Sequence, residues 1–385
     1  MVILQAALTF LFAGYEYLTL WHFPALPSSK GDLGKPPLVS IILPVRNQAK
    51  TVVECVESLT HLEYPNREVI VVEGHSTDGT GDLLHGFQGR VKVVEEDSLP
   101  PGWVGKSWAC HLGYKESRGE LLLFTDGDSI HSKDSLVRTV EYMQSTNADL
   151  VTLAPGAILK TFWEKLLQPP IFLLIMLFVG GKWVNDDTRR NALGNGQYLL
   201  FRRAAYERVG GHEAVKHRIV EDYSLARLVK REGLRLRMVT AQNALGVRMY
   251  SSLGEVWRGW RKNFYTVSES HKLTRAILRL ALLFSCLVLP FLVFGYGLLQ
   301  SPSAPLNIYL LAGGFMVVLL WLGIFMFNSA VGVSRLYGLL FPFAIMIYIG
   351  IGLDSTIRGA LGLGFPWKGR VYGKPLDTSV EAKIT

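Results

Sequence analysis

Acidic residues end short apolar runs in the first third of the chain. Val69–Val72 stops at Glu73 and Leu121–Phe124 at Thr125-Asp126-Gly127-Asp128, while Leu38–Leu43 stops at Pro44-Val45-Arg46-Asn47. Two carboxylates in one turn, Asp126 and Asp128, suit a hard divalent cation that keeps several waters and bridges phosphate oxygens. Lys106 follows a glycine and opens a helical pattern. There an ammonium and free backbone N–H groups favour phosphate, the alternative being a solvated first-turn lysine. A second acidic pair, Glu221-Asp222, begins a helical pattern ended by Gly233. Capping and the helix dipole explain such acids plainly, and general-base chemistry is the functional reading. Arg258 and Arg261 share a helical face, so two guanidinium forks can clamp phosphate oxygens. The alternative for Trp257, Trp260 and these arginines is a belt beside lipid headgroups.

Strands must position these groups. Apolar runs bounded by turn residues, with helical patterns between them, read as buried parallel strands of an α/β fold. Ligands of open α/β sheets bind beyond the carboxyl ends of the strands, so Glu73, Asp126 and Asp128 should converge on one crevice. The expected order is strand Leu38–Leu43, a helix from about Ala49 to Leu59 with Asn47 as N-cap, and strand Glu68–Val72. A helix after Ser76-Thr77-Asp78-Gly79-Thr80, strand Val91–Glu95, a helix from Lys106 to about Glu116 and strand Leu121–Phe124 complete it. Asp78 reads equally well as a turn and cap residue.

The chain of 385 residues is 49% hydrophobic, and the excess is concentrated. Leu280–Gln300 and Asn307–Phe327 are uncharged runs of 21 residues each, and Leu336–Leu353 is one of 18. Each can cross a hydrocarbon core of about 30 Å at about 1.5 Å per residue. Met1–Phe23 reads as a retained membrane helix, with an interfacial hairpin as the alternative, because it lacks the basic start and cleavage site of a secretory signal. The expected domains are a membrane helix at 1–27, a catalytic domain at 28–275, transmembrane helices at 276–357 and a basic tail at 358–385. Within the second, the uncharged run Ile171–Gly181 is too short to span and suits an interfacial helix at about 162–183.

Lys30, Lys35, Arg275 and Arg279 flank the apolar ends, so the positive-inside rule places the water-facing domain in the cytoplasm of a multi-pass cell-membrane protein. Four spans would return the C-terminus to the N-terminal side, whereas Arg358, Lys368, Arg370 and Lys374 favour a cytoplasmic tail, so the number of spans stays open. The net charge of +8 fits an anionic membrane or a phosphate-rich ligand, and no nucleic-acid motif accompanies it. Cys55, Cys110 and Cys286 are too widely spaced for a disulfide framework or a zinc site. His212 and His217, five apart, miss the helical i, i+4 metal spacing.

Taken together, Val39–Asn47, Val71–Thr80 and Asp126-Gly127-Asp128 resemble the family 2 inverting glycosyltransferases of GT-A fold, a Rossmann-like, mostly parallel sheet flanked by helices. Gly194-Asn195-Gly196-Gln197, Val220-Glu221-Asp222 and Arg258-Gly259-Trp260-Arg261 follow in the expected order. The membrane-anchored layout, with Pro101–Trp108 and Trp367-Lys368-Gly369-Arg370, resembles the carotenoid (diaponeurosporenoate) and hopanoid-associated subgroups. The resemblance implies a nucleotide-sugar donor, UDP-linked, and Mn2+ or Mg2+ held by Asp128 and Asp126. Pro44, Asn47, Glu73, Lys106, Asp126, Arg258 and Arg261 would bind the donor; Gly196, Gln197 and Trp260 would meet a lipid or isoprenoid acceptor. Asp222 would be the general base, assisted by Glu221. Glu73 stands where relatives carry Asp, Gly74 where a second Asp is common, and Lys262 replaces the Trp of the Arg-x-x-Arg-Trp form. Two rivals remain: a processive polysaccharide synthase, and a catalytically inactive membrane scaffold of the same fold.

Overall fold

The computed structural model describes residues 23–29, 31, 34–96, 98–179, 181–268, 273–300 and 307–372. The expected helix Met1–Phe23 lies outside the described residues except for Phe23, and the tail beyond residue 372 lies outside them entirely. The described residues form two compact units, one within 23–158 and 179–249, the other within 159–178 and 250–372.

The first unit is built on an eight-stranded sheet of order β3-β2-β1-β4-β7-β6-β8-β5. The strands are β1 (Val39–Val45), β2 (Arg67–Glu73), β3 (Lys92–Glu95), β4 (Leu121–Phe124), β5 (Ser129–His131), β6 (Leu150–Ala157), β7 (Leu199–Arg202) and β8 (Leu236–Val247). Strands β3, β2, β1 and β4 pair in parallel, as do β6 and β8, and β7 is antiparallel to both β4 and β6. The sheet is thus mostly parallel, the α/β architecture expected. β1 and β4 are nearly continuous apolar runs because both faces are covered. Register places Val45 opposite Glu73 and Ile42 opposite Phe124. Glu73 and Asp126 therefore leave the same sheet edge two strand spacings, roughly 10 Å, apart.

Helices α1 (Val52–Thr60), α2 (Thr80–His85), α3 (Gly105–Lys115) and α4 (Ser135–Ser145) connect the early strands. Helix α1 starts three residues later than expected, at Val52 with Thr51 as its N-cap position, and Asn47 does not cap it. Asn47 instead adopts φ +49°, and its Oδ1 accepts a hydrogen bond from Thr77 N at 2.8 Å. Its side chain is committed to the neighbouring loop, and Asn tolerates the left-handed region that the sharp exit from β1 requires. Helix α3 lies against β1 and β2. A Cβ on Gly113 would come within 2.5 Å of Ile42 Cγ2 and 3.1 Å of Val72 Cγ2, so the missing side chain sets how closely α3 approaches the sheet.

In the second unit, α5 (Phe162–Val179) and α9 (Leu253–Ser268) accompany α10 (Leu273–Leu287), α11 (Leu289–Leu299), α12 (Ile308–Ala330) and α13 (Phe341–Ala360). The intervening α6 (Arg203–Arg208), α7 (Gly211–Ala214) and α8 (Glu221–Arg231) belong to the first unit. Among the described residues two helices, Ile308–Ala330 and Arg335–Ala360, are long and apolar enough to cross a membrane. The run Leu280–Gln300, read as one span, is a pair bent by 41°. Pro290 sits at the start of α11, where a residue without an N–H cannot continue the preceding helix. Asn307 caps α12 through a 3.0 Å hydrogen bond from Leu310 N. Leu299, Leu311, Phe315, Leu336 and Phe343 remain exposed on these helices.

Gly113→Ala should lower unfolding free energy by about 1–3 kcal/mol, because the new methyl displaces Ile42 in a packed layer. Urea titration of the purified protein checks this; an unchanged midpoint would show that α3 does not depend on this close approach.

Candidate active site

Lys106 lies at the centre of the candidate site. As the second residue of α3, its ammonium reaches Asp126 Oδ1 at 2.6 Å and Glu221 Oε1 at 2.7 Å. Asp126 arrives from the turn after β4 and Glu221 from the first turn of α8, where only 3% of that residue is exposed. Burial alone would lower the Lys106 pKa, but the carboxylates of Asp126, Glu221 and Asp222 outweigh it and hold the ammonium well above the ordinary lysine range.

Asp222 is fixed from both sides: Oδ2 accepts Gly196 N and Oδ1 accepts Tyr223 N, each at 2.7 Å. Desolvation, followed by the adjacent Glu221 charge, pushes its pKa up to about 6, against the opposing pull of Lys106 and the two backbone donors. Gly196 makes a further close approach. A Cβ there would stand 2.6 Å from Lys106 Nζ, 3.2 Å from Asp222 Oδ2 and 3.5 Å from Glu221 Oε1.

The loop carrying Gly196 is organised by Asn195, a residue of the quoted Gly194–Gln197 motif to which no role was assigned from the sequence. Asn195 Nδ2 donates to Leu153 O and to Gln197 Oε1 at 3.1 Å each, and its backbone N–H reaches Thr152 Oγ1 at 3.0 Å. Gln197 is buried, and its carbonyl accepts Thr125 Oγ1 at 2.8 Å, tying this loop to the Asp126 turn. Thr125 also meets His131 Nε2 at 3.0 Å. Burial pushes the His131 pKa down to about 3, so the imidazole is a neutral core group. His212 is likewise buried and lowered to about 3, with its Nδ1 2.8 Å from Tyr206 Oη.

A second cluster lies where β1 and β2 end. Glu73 is nearly buried, and its two oxygens accept the backbone N–H groups of His75 and Ser76 at 2.9 and 2.8 Å. Asn47 N donates to Ser76 Oγ at 2.9 Å, Gln48 N to Thr80 Oγ1 at 2.8 Å and Ala49 N to Asp78 Oδ2 at 3.0 Å. Asp78 thus serves as a turn residue and as a tie between the two loops. Pro44 lies within β1, opposite Val72.

Arg258, Trp260 and Arg261 belong to the other unit, on α9. Arg258 is exposed. Arg261 is only 8% exposed, and one of its guanidinium nitrogens lies 3.1 Å from Asp354 Oδ2, which also accepts Trp257 Nε1 at 2.8 Å. Trp260 is buried against Phe264 and Tyr348. Asp354 was missed although it ends the uncharged run Leu336–Leu353; an acid at that point was the available signal.

The donor chemistry of the Asp126–Asp128 turn fits a hard divalent cation: the ligands are carboxylate oxygens, and Asp126 already draws a cation in the form of Lys106. Among the described residues no group of three His, Cys, Asp or Glu side chains is arranged to hold a metal ion. Water and phosphate oxygens would have to complete the shell. The three cysteines, all buried, are free thiols.

Gly196→Ala forces Lys106 aside, and a flexible side chain yields cheaply. Stability to urea should change by less than about 1 kcal/mol, while catalytic turnover falls by about tenfold or more. A variant with wild-type turnover would show that the position of Lys106 is immaterial.

Residues 40–209 match the family model described as Glycosyl transferase family 2. Two curated relatives are named 4,4'-diaponeurosporenoate glycosyltransferase. That of Staphylococcus haemolyticus is 23% identical over 237 residues, covering 60% of this chain and 62% of its own. That of Staphylococcus aureus strain USA300 is 28% identical over 233 residues, covering 59% and 61%. The chain therefore spans about three fifths of the length of these relatives. Among solved structures, a mannosyltransferase from Pyrobaculum calidifontis in complex with GDP-Man and Mn2+ superposes with a TM-score of 0.52 at 17% identity, covering 93% of this chain and 97% of that one. At that identity the likeness concerns the fold, which is of the GT-A kind. The chain carries a glycosyl transferase family 2 domain at residues 40–209.

Proposed function

We propose that this protein is a membrane-bound inverting glycosyltransferase that moves a sugar from a UDP-linked donor onto a lipophilic acceptor. The observation that carries the reading is the meeting of Asp126, Glu221 and Asp222 around Lys106 at the carboxyl edge of the sheet, where α/β folds bind their ligands. The exposed apolar faces of α11 to α13 support attachment to a bilayer, since contiguous apolar surface of this extent is unfavourable in water.

Asp126 and Asp128 are the residues assigned to Mn2+ or Mg2+, which when bound neutralises the donor diphosphate. Asp222 is assigned as the base. As the acceptor oxygen bonds to the anomeric carbon, the bond from that carbon to the diphosphate oxygen breaks, and the hydroxyl proton passes to Asp222. Its two backbone donors hold the carboxylate in place, and a pKa near 6 keeps it ionised at neutral pH yet basic enough to take a proton. Glu221, paired with Lys106, positions rather than abstracts. The relatives' names denote a carotenoid acid, which supports a carboxylate acceptor of that class. A carboxylate is already ionised and scarcely needs the base.

Purified protein given UDP- and GDP-sugars with a lipid extract, with and without Mn2+, should form a glycolipid identifiable by mass; release of free sugar alone would contradict lipid transfer. With an alcohol acceptor, kcat/KM should fall as pH drops below about 6, where Asp222 takes up a proton. Asp222→Asn should cost roughly 100- to 10,000-fold with alcohols and far less with a carboxylate. Equal activity of Asp222→Asn on alcohols would remove Asp222 as the base.

A further inference from the structure

Lys106 already occupies the cation-facing side of Asp126. Its ammonium lies 2.6 Å from Asp126 Oδ1 and is held from the opposite side by Glu221 Oε1 at 2.7 Å. The room around Nζ is defined by the absence of a side chain at Gly196. A divalent ion ligated by Asp126 would sit about 2 Å from a carboxylate oxygen, within a few ångströms of the ammonium, in a partly desolvated pocket where like charges repel strongly. The chain compensates this poorly by itself, because no third metal-binding side chain joins Asp126 and Asp128 among the described residues. The diphosphate of the donor supplies what is missing: oxygen ligands for the metal and an anionic partner for the ammonium that the metal displaces from Asp126.

We propose that Lys106 is a built-in competitor for the metal, which makes Mn2+ or Mg2+ binding conditional on a nucleoside diphosphate. The inference rests on the assignment of the Asp126–Asp128 turn to a divalent cation. In the resting protein Lys106 neutralises Asp126 and Glu221. When a nucleoside diphosphate enters with its metal, Asp126 exchanges the ammonium for the metal and Lys106 keeps Glu221. The arrangement favours loading the metal and the donor together, and disfavours a metal held without substrate. Lys106 is a positioning residue in this role, since it acts through Asp126.

Mn2+ binding, read by the loss of the free-ion electron paramagnetic resonance signal, tests the proposal without turnover. In wild-type protein Mn2+ alone should bind weakly, and saturating UDP or GDP should tighten it by at least about 30-fold. Lys106→Met should bind Mn2+ alone at least about tenfold more tightly than wild type, so that the nucleotide adds much less. Lys106→Arg, which keeps the positive charge, should resemble wild type. Circular dichroism verifies that each variant is folded, and the wild-type arm stands even if Lys106→Met is not. Wild-type protein that binds Mn2+ equally well with and without nucleotide overturns the competition while leaving the metal site intact. No Mn2+ bound by any protein, with or without nucleotide, overturns the metal assignment and the competition with it.

Discussion

One ammonium group holds together parts of the chain that sequence separates widely. Lys106 on α3 bridges the turn after β4 to the first turn of α8, across 20 residues in one direction and 115 in the other. Without it, Asp126, Glu221 and Asp222 would face one another as uncompensated carboxylates in a partly buried pocket. Removing one partner of a buried ion pair typically costs about 3–5 kcal/mol, less here because about a third of the lysine side chain meets solvent. The sheet brings these groups to one edge, Gly113 sets the closeness of α3, and Gly196 leaves the space that the ammonium fills. Each feature serves a charge arrangement in which one ammonium faces three carboxylates.

Two loop systems flank this centre and differ in character. The β1 and β2 loops are fastened to each other by β1-loop backbone donors to Ser76, Thr80 and Asp78, while Glu73 braces the β2 loop internally. The Gly194–Gln197 loop is fastened to β6 and to the Asp126 turn through Asn195 and Thr125. The polar side chains of both systems are largely spent on shape. The charged groups at the centre are Lys106, Asp126, Glu221 and Asp222. In the second unit Asp354 has the comparable role, gathering Trp257, Arg261 and Arg358 where α9 meets α13.

Much of this was legible in the sequence because strands buried on both faces leave continuous apolar runs. β1, β2 and β4 fall within two residues of their expected limits, and Asp126 follows its strand as the pattern implied. What was not legible depends on contacts between distant segments. Asn47 has the chemistry of a cap, yet its side chain is taken by Thr77, 30 residues away. Glu73 carries a strand-end carboxylate, but the two N–H groups that use it come from its own loop. Lys106 could be recognised as a first-turn lysine, while its acidic partners could not be named from spacing. The run Leu280–Gln300 looked continuous because hydropathy does not register the effect of Pro290 on a helix.

The central claim is that Lys106 and Glu221 are energetically one unit, and a double-mutant cycle on unfolding free energy measures this directly. Lys106→Met should destabilise the protein, and adding Glu221→Gln should restore part of the loss by relieving repulsion among the carboxylates, with a coupling of about 1–3 kcal/mol. Additive effects of the two substitutions, within about 0.3–0.5 kcal/mol, would contradict the account.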